Sequence, residues 1–149
     1  MAVKKNLPSA IRRLDLGAVE HKLALRLTEP VAKMCVLGLR RFYTLCRENP
    51  RKSLAPSHMI DWAWHEHILM TKKYASDCQT VFGGFLHHQP ELEPNASSRR
   101  GYARTSKLYF ARFGEAMPGE EARNSRKRKG IRHGTCKSCK TCGTGPCKS

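Results

Sequence analysis

Apolar residues recur every three to four positions along most of the first 114 residues, and this spacing is typical of amphipathic helices. Thr28 and Ser57 are suited to be N-caps, and the glycines and prolines between the apolar stretches mark their ends. No segment alternates apolar and polar residues for long enough to predict a strand. The sequence therefore predicts an all-α protein, a small bundle of about four helices over residues 16–27, 28–48, 58–82 and 99–114.

The third predicted helix is the longest and carries the most regular pattern. Its inward-facing residues are predicted to be Ile60, Trp64, Ile68, Thr71, Ala75, Cys78 and Phe82. In the second predicted helix, Met34 is placed on the inward face beside Cys35 and Leu39.

Positive charge is concentrated towards the C-terminus. The chain of 149 residues has 28 Lys and Arg against 12 acidic residues, and residues 99–149 hold 14 of the basic but only 3 of the acidic ones. Four of the seven cysteines also lie after residue 135. We therefore expect two parts, a helical domain over residues 1–116 and a basic, cysteine-rich tail over 117–149 that is disordered or ordered by a metal.

The composition excludes several classes of protein. No apolar run approaches the roughly 18 to 20 residues that a transmembrane helix needs, so no membrane partner is expected. The first residues carry no hydrophobic stretch typical of a secretory signal. We expect a protein that resides in the cytoplasm or elsewhere inside the cell.

Histidines form two tight groups, His65 with His67 and His87 with His88. Imidazole is a common metal ligand, so a metal site must be considered. His65 and His67 lie about 200° apart around a helix, and one helical site cannot easily use both. Asp61 is four residues before His65 and shares its face, so Asp61 and His65 with a ligand from His87 or His88 form the conceivable site.

Other interpretations remain open for His67 and for Asp61. His67 borders the apolar stripe, where it could meet His87 or His88 or be a core histidine with satisfied hydrogen bonds. Asp61 could simply orient His65. No Ser, Cys or paired carboxylate stands beside the histidines as a catalytic set would require, so the sequence favours a non-enzymatic protein.

Two motifs carry a family resemblance, Trp64-His65-Glu66-His67-Ile68-Leu69 and the later Gly84-Phe85-Leu86-His87-His88-Gln89-Pro90. With the preceding Pro56-Ser57 and Asp61, they resemble the glycine-rich domain-containing proteins over roughly residues 11–115. The resemblance implies a helical fold and carries no activity with it. RNA binding is proposed for separate parts of the longer family members, and this chain departs from their pattern after Gly114.

The tail contains a run of six basic residues, Arg123, Arg126, Lys127, Arg128, Lys129 and Arg132. Such a run repels itself and is not expected to fold alone. It could neutralise several phosphates of a nucleic acid or another polyanion, with an affinity that falls as salt rises. The run contains no aromatic residue, so base stacking is not expected and contact should be non-specific. A nuclear localisation signal or a solubilising arm is the alternative.

Four thiols follow within twelve residues, from Cys136, Cys139, Cys142 and Cys147. They could wrap a tetrahedral zinc ion, and adjacent lysines would favour the thiolate forms. The spacing is shorter than that of a common zinc ribbon, so the site would be a compact knuckle. An iron–sulfur cluster, a redox-active thiol tail and the absence of any site are the alternatives.

The first interpretation is a binding module whose helical domain carries a basic, zinc-chelating tail that contacts RNA, DNA or another polyanion, alone or within a ribonucleoprotein assembly. A metal-dependent enzyme using the Asp/His cluster is the second. A structural subunit of a larger assembly is the third.

Overall fold

The computed structural model describes residues 6–88 and 95–120. They form six α-helices, and no strand occurs within these two ranges. The prediction of an all-α protein is therefore confirmed. The helices are α1 Ser9–Arg12, α2 Gly17–Ala24, α3 Glu29–Glu48, α4 His58–Leu69, α5 Thr71–Phe82 and α6 Ala96–Phe113.

Helix α3 is the central element and packs against α1, α2, α4 and α6. Its buried side chains include Phe42 and Tyr43, whose rings contact the Trp64 ring of α4 at centroid distances of 5.3 and 6.4 Å. Tyr109 and Phe113 of α6 are also fully buried. Burial of such large aromatic side chains, together with the aliphatic side chains of the core, stabilises the fold.

Gly38, in the middle of α3, lies where α4 and the segment after α6 approach this helix closely. A Cβ at Gly38 would lie 2.9 Å from both Ile60 Cγ1 and Pro118 Cγ, so any larger residue would push α4 and the C-terminal segment away. Met117, beside Pro118, is fully buried. The described chain thus continues to pack on the domain after α6 ends. The domain boundary at residue 116 stays a prediction.

The predicted third helix is broken, which the sequence pattern did not indicate. Met70, with φ −86° and ψ 62°, ends α4 and precedes α5. The change of direction shifts the inward face, so Thr71 and Ala75, predicted to be buried, are exposed, while Tyr74 and Val81 are buried. The prediction for these residues was wrong because a constant period was carried through the break.

Two smaller features also differ from the sequence prediction. Helix α1 is a single extra turn, and the Arg40 guanidinium donates hydrogen bonds to Ile11 O within it and, over 2.7 Å, to Leu14 O just after it. Met34 is half exposed rather than inward, because the buried face of α3 runs through Ala32, Cys35 and Val36. No helix within residues 6–88 or 95–120 has the length and apolar character to cross a bilayer.

Candidate metal centre

Helix α4 positions two of the three residues of the candidate site. It begins after Ser57, whose hydroxyl oxygen accepts a hydrogen bond from the Ile60 amide and donates one of 2.6 Å to Pro118 O. The face with Ile60 and Trp64 is buried. Asp61 and His65, one turn apart, lie beside that face and are only partly covered.

The third residue comes from the segment over residues 83–88, which we call the strap. Helix α5 ends at Gly83 in the left-handed conformation with φ 73°, and the strap then returns along α4. Two hydrogen bonds fix its course. Trp64 Nε1 donates to Tyr74 Oη over 2.9 Å, and Tyr74 Oη donates to Leu86 O over 2.5 Å. As a result His88 packs edge-on against Trp64, with ring centroids 4.5 Å apart.

Asp61 lies between the two histidines. His88 Nε2 is 2.7 Å from Asp61 Oδ1, and His65 Nδ1 is 3.2 Å from Asp61 Oδ2. His65 Nδ1 also lies 2.8 Å from the carbonyl oxygen of Asp61. One donor atom from each of the three residues can be chosen so that all lie within 4.8 Å of one another.

This geometry suits a divalent transition metal ion. Two imidazole nitrogens and one carboxylate oxygen are a common ligand set for zinc and for non-haem iron. Ligands bound about 2.1 Å from a tetrahedral ion lie about 3.4 Å from each other, a value between the 2.7 Å that separates His88 Nε2 from Asp61 Oδ1 and the 4.8 Å limit of the cluster. Three protein ligands would leave a fourth position for water or another ligand.

The site opens onto a groove of about 890 Å³. The side chains of His65 and Asp61 are 48% and 33% exposed, whereas that of His88 is 11% exposed. Solvent therefore reaches the cluster from the side of His65 and Asp61. The groove runs past the strap and the loop before α4, and its apolar lining includes Phe42, Leu54, Trp64, Phe82, Phe85 and Leu86.

His67 lies on the other side of α4 and is fully buried. Its Nδ1 lies 2.9 Å from Tyr43 Oη, and its Nε2 lies 2.9 Å from Asp77 Oδ2. Asp77 is in turn 3.0 Å from Lys73 Nζ. Burial lowers the pKa of His67, and the hydrogen bond that its ring donates to the Asp77 carboxylate opposes that effect only in part. With both ring nitrogens occupied, His67 has no free nitrogen for a metal ion.

His87 is also outside the cluster. It is exposed and its ring lies 5.0 Å from that of Phe85. The structure thus brings together Asp61, His65 and His88, and leaves His67 and His87 apart from them.

The three cysteines of the domain are free thiols and add no ligand to this cluster. Burial raises the pKa of Cys35, and it raises the pKa of Cys46 to about 12. A raised pKa favours the protonated thiol at neutral pH and so disfavours nucleophilic chemistry at these two residues. The other candidate residues lie outside the described part of the chain, namely Arg123, Arg126, Lys127, Arg128, Lys129, Arg132, Cys136, Cys139, Cys142 and Cys147.

The sequence reasoning missed the residues that hold the site in place. Tyr74 and Trp64 position the strap, and Asp77 and Tyr43 hold His67 in the core. An aromatic or acidic residue within a helical pattern gives no sign of such a role. One feature of the sequence could have indicated these roles. Tyr and Trp residues lie near the histidine-rich segment, and such side chains usually form a hydrogen bond when they are buried.

The sequence model of a family described as UCP032817-like matches residues 18–146. Comparison with curated proteins and with solved structures found no match. The matched range includes both histidine motifs and extends through the basic run.

Proposed function

The chain belongs to the UCP032817-like family, and we propose that its helical domain binds a divalent transition metal ion, with zinc as the first candidate. The observation that carries this proposal is the convergence of Asp61, His65 and His88, whose donor atoms lie within 4.8 Å of one another. We also propose, from the histidine motifs, that the chain is related to the glycine-rich domain-containing proteins.

The chemistry of the three residues supports a metal rather than a purely structural role. A carboxylate that only oriented His65 would not need a second imidazole on its other oxygen. Asp61 instead has a ring nitrogen at each oxygen, and all three side chains border the groove. Bound metal would join the strap to α4, because His88 and His65 come from these two segments.

Zinc binding tests this proposal, and the full chain allows a clean design. Replacing Cys136, Cys139, Cys142 and Cys147 by Ser removes the other candidate zinc ligands. In that background we expect about one zinc per chain by elemental analysis after dialysis. His88→Ala should lose it, whereas His87→Ala, a change of the adjacent exposed histidine, should retain it.

Two results would contradict the proposal. Absence of zinc from the variant with four serines would leave Asp61, His65 and His88 as a hydrogen-bonded cluster. Equal zinc contents in His88→Ala and His87→Ala would place the metal elsewhere. Circular dichroism would establish that both variants remain folded.

A second candidate function is contact with nucleic acid or another polyanion through the basic run. Residues 99–149 combine 14 basic residues with 3 acidic ones, and the family match extends over the whole run. Clustered cations of this kind bind phosphates with release of counterions. In the same proposal the four tail cysteines hold a second zinc ion, so the unmodified chain would contain about two.

Salt dependence tests the polyanion contact. A full-length variant with Gln at Arg126, Lys127, Arg128 and Lys129 loses four charges. For single-stranded RNA, the plot of log affinity against log salt should become shallower by about 2.8. The matched control places Gln at Arg12, Arg13, Lys22 and Lys72, which are exposed in the domain. Equal slopes in the two variants would refute a specific role of the run.

A further inference from the structure

Helix α6 presents one face to solvent that carries an unusual set of residues. At 100° per residue, seven positions fall within an arc of about 140°. All seven are exposed, and we call them the basic face: Arg99, Arg100, Ala103, Arg104, Lys107, Phe110 and Ala111.

Among residues 6–88 and 95–120, no carboxylate is paired with the four cations of this face. Helix α6 contains no Asp or Glu in its 18 residues. Within the described ranges, none of the four takes part in a salt bridge, and Arg104 donates to the carbonyl oxygen of Ser53, a neutral acceptor. In contrast, Arg112, which lies off this face, is paired with Glu48. The positive charge of the basic face is therefore available to an external anion.

Phe110 gives the face an aromatic surface. Its side chain is 63% exposed, although a phenylalanine on a stable helix is usually directed into the core. It lies one turn from Lys107 on the same face. Cations beside an exposed ring are the combination that single-stranded nucleic acid requires, since phosphates bind the cations and a base can stack on the ring.

We propose that the basic face of α6 is a contact surface for single-stranded nucleic acid, separate from the metal centre and from the tail. Over about 16 Å of helix, four cations would meet successive phosphates while one base stacks on Phe110. A membrane surface fits less well, because the apolar face of α6, with Tyr109 and Phe113, is buried in the core. A protein partner fits less well too, since the face has only one large apolar side chain and no apolar centre.

Fluorescence anisotropy with a labelled 12-nucleotide oligouridylate, over a range of salt concentrations, tests this proposal in the full chain. The tail is first neutralised by Gln at all nine of its Lys and Arg residues, so that the remaining affinity reports on the domain: Arg123, Arg126, Lys127, Arg128, Lys129, Arg132, Lys137, Lys140 and Lys148. Adding Gln at Arg99, Arg100, Arg104 and Lys107 should make the log–log salt dependence shallower by about 2.8. The matched control, with Gln at Arg12, Arg13, Lys22 and Lys72, should change it far less.

Stacking is tested separately from charge. Phe110→Ala should weaken oligouridylate binding about 5- to 150-fold, equivalent to about 1–3 kcal/mol, and leave the salt dependence unchanged. Phe110→Trp should retain binding. Because Phe110 is exposed, thermal unfolding of Phe110→Ala should be close to that of the parent.

Three outcomes would overturn the proposal. Loss of all oligonucleotide binding on neutralising the tail would assign the contact to the tail alone. Equal effects of the α6 variant and of its charge-matched control would show only a general dependence on net charge. Binding to vesicles with 30% phosphatidylserine that depends on these four cations, without such dependence for the oligonucleotide, would assign the face to a lipid surface. None of these outcomes bears on zinc binding by Asp61, His65 and His88.

Discussion

Two of the three histidines of helix α4, His65 and His67, are two residues apart and lie in opposite surroundings. His67 is fully buried, with Tyr43 Oη at one ring nitrogen and an Asp77 carboxylate oxygen at the other. His65 is half exposed, shares Asp61 with His88, and borders a groove. Both histidines have the same kind of neighbour, because each imidazole lies beside a carboxylate.

The difference lies in what else can reach the donor atoms. Around His67 every donor and acceptor is matched within the protein, so the group contributes to the stability of the core. Around His65 the atoms of three residues converge where solvent also has access, and in the proposed function a metal ion replaces the contacts between these side chains. The same pair of residue types thus serves a structural role or a candidate binding role according to burial.

The largest difference between the two histidines should appear in the free energy of unfolding when each imidazole is removed. His67→Ala leaves the Tyr43 hydroxyl without its partner and creates a cavity, so we expect the free energy of unfolding to fall by about 3 kcal/mol. His65→Ala in metal-free protein should change it by less than about 0.5 kcal/mol, because water replaces the lost contacts. Urea unfolding measures both, and similar losses would mean that the Asp61 cluster is structural as well.

Zinc should stabilise the chain through the open cluster only. At a free zinc concentration 100 times the dissociation constant, the stabilisation should be about 2.7 kcal/mol. Asp61→Asn should abolish it, and the conservative variant His67→Gln should keep it, both measured with Ser at the four tail cysteines. A zinc-induced shift in Tm that survives Asp61→Asn would contradict this division of roles.

The components of the open site could be predicted from the sequence, but their assembly could not. The spacing of Asp61 and His65 by one helical turn indicates a shared face, and the separation of His65 and His67 indicates different faces. The approach of His88 depends on the hydrogen bonds from Trp64 to Tyr74 and from Tyr74 to the strap. These are contacts between distant residues, and helical periodicity contains no information about them.

The buried network depends on the break at Met70, which explains why it was not foreseen. In an uninterrupted helix His67 and Asp77, ten residues apart, would be about 15 Å apart along the axis. The break turns α5 back, so that the two side chains meet at 2.9 Å. The sequence around Met70 contains no proline or glycine, so local propensity does not indicate an end there, and tertiary contacts decide it.

The pH dependence of stability should distinguish the buried histidine. Burial holds the pKa of His67 below its ordinary value of 6.5, so the folded protein keeps this ring neutral when the unfolded chain takes up a proton. The contribution of His67 is present above about pH 6.5 and is lost as the pH falls through the lowered pKa of the folded state. The slope from one proton is at most about 1.4 kcal/mol per pH unit.

His67→Gln removes this titration and should flatten the dependence between pH 6.5 and 5, as measured by urea unfolding at several pH values. His87→Ala, which removes an exposed histidine, serves as the control and should leave the slope unchanged. An unchanged slope in His67→Gln would show that other groups are responsible for it.

The smallest effect concerns the turn that brings His88 to the open site. Gly83 has φ 73°, a conformation that costs an L-residue about 1 kcal/mol, so Gly83→Ala should lower the free energy of unfolding by that amount. Gly84 has no such strain and open space at its Cβ position, so Gly84→Ala should be neutral or stabilising by about 0.5 kcal/mol. Because the strap carries a ligand only for the open cluster, Gly83→Ala should also weaken zinc binding, whereas Gly84→Ala should not. Equal zinc affinities in the two variants would mean that His88 reaches Asp61 without help from this turn.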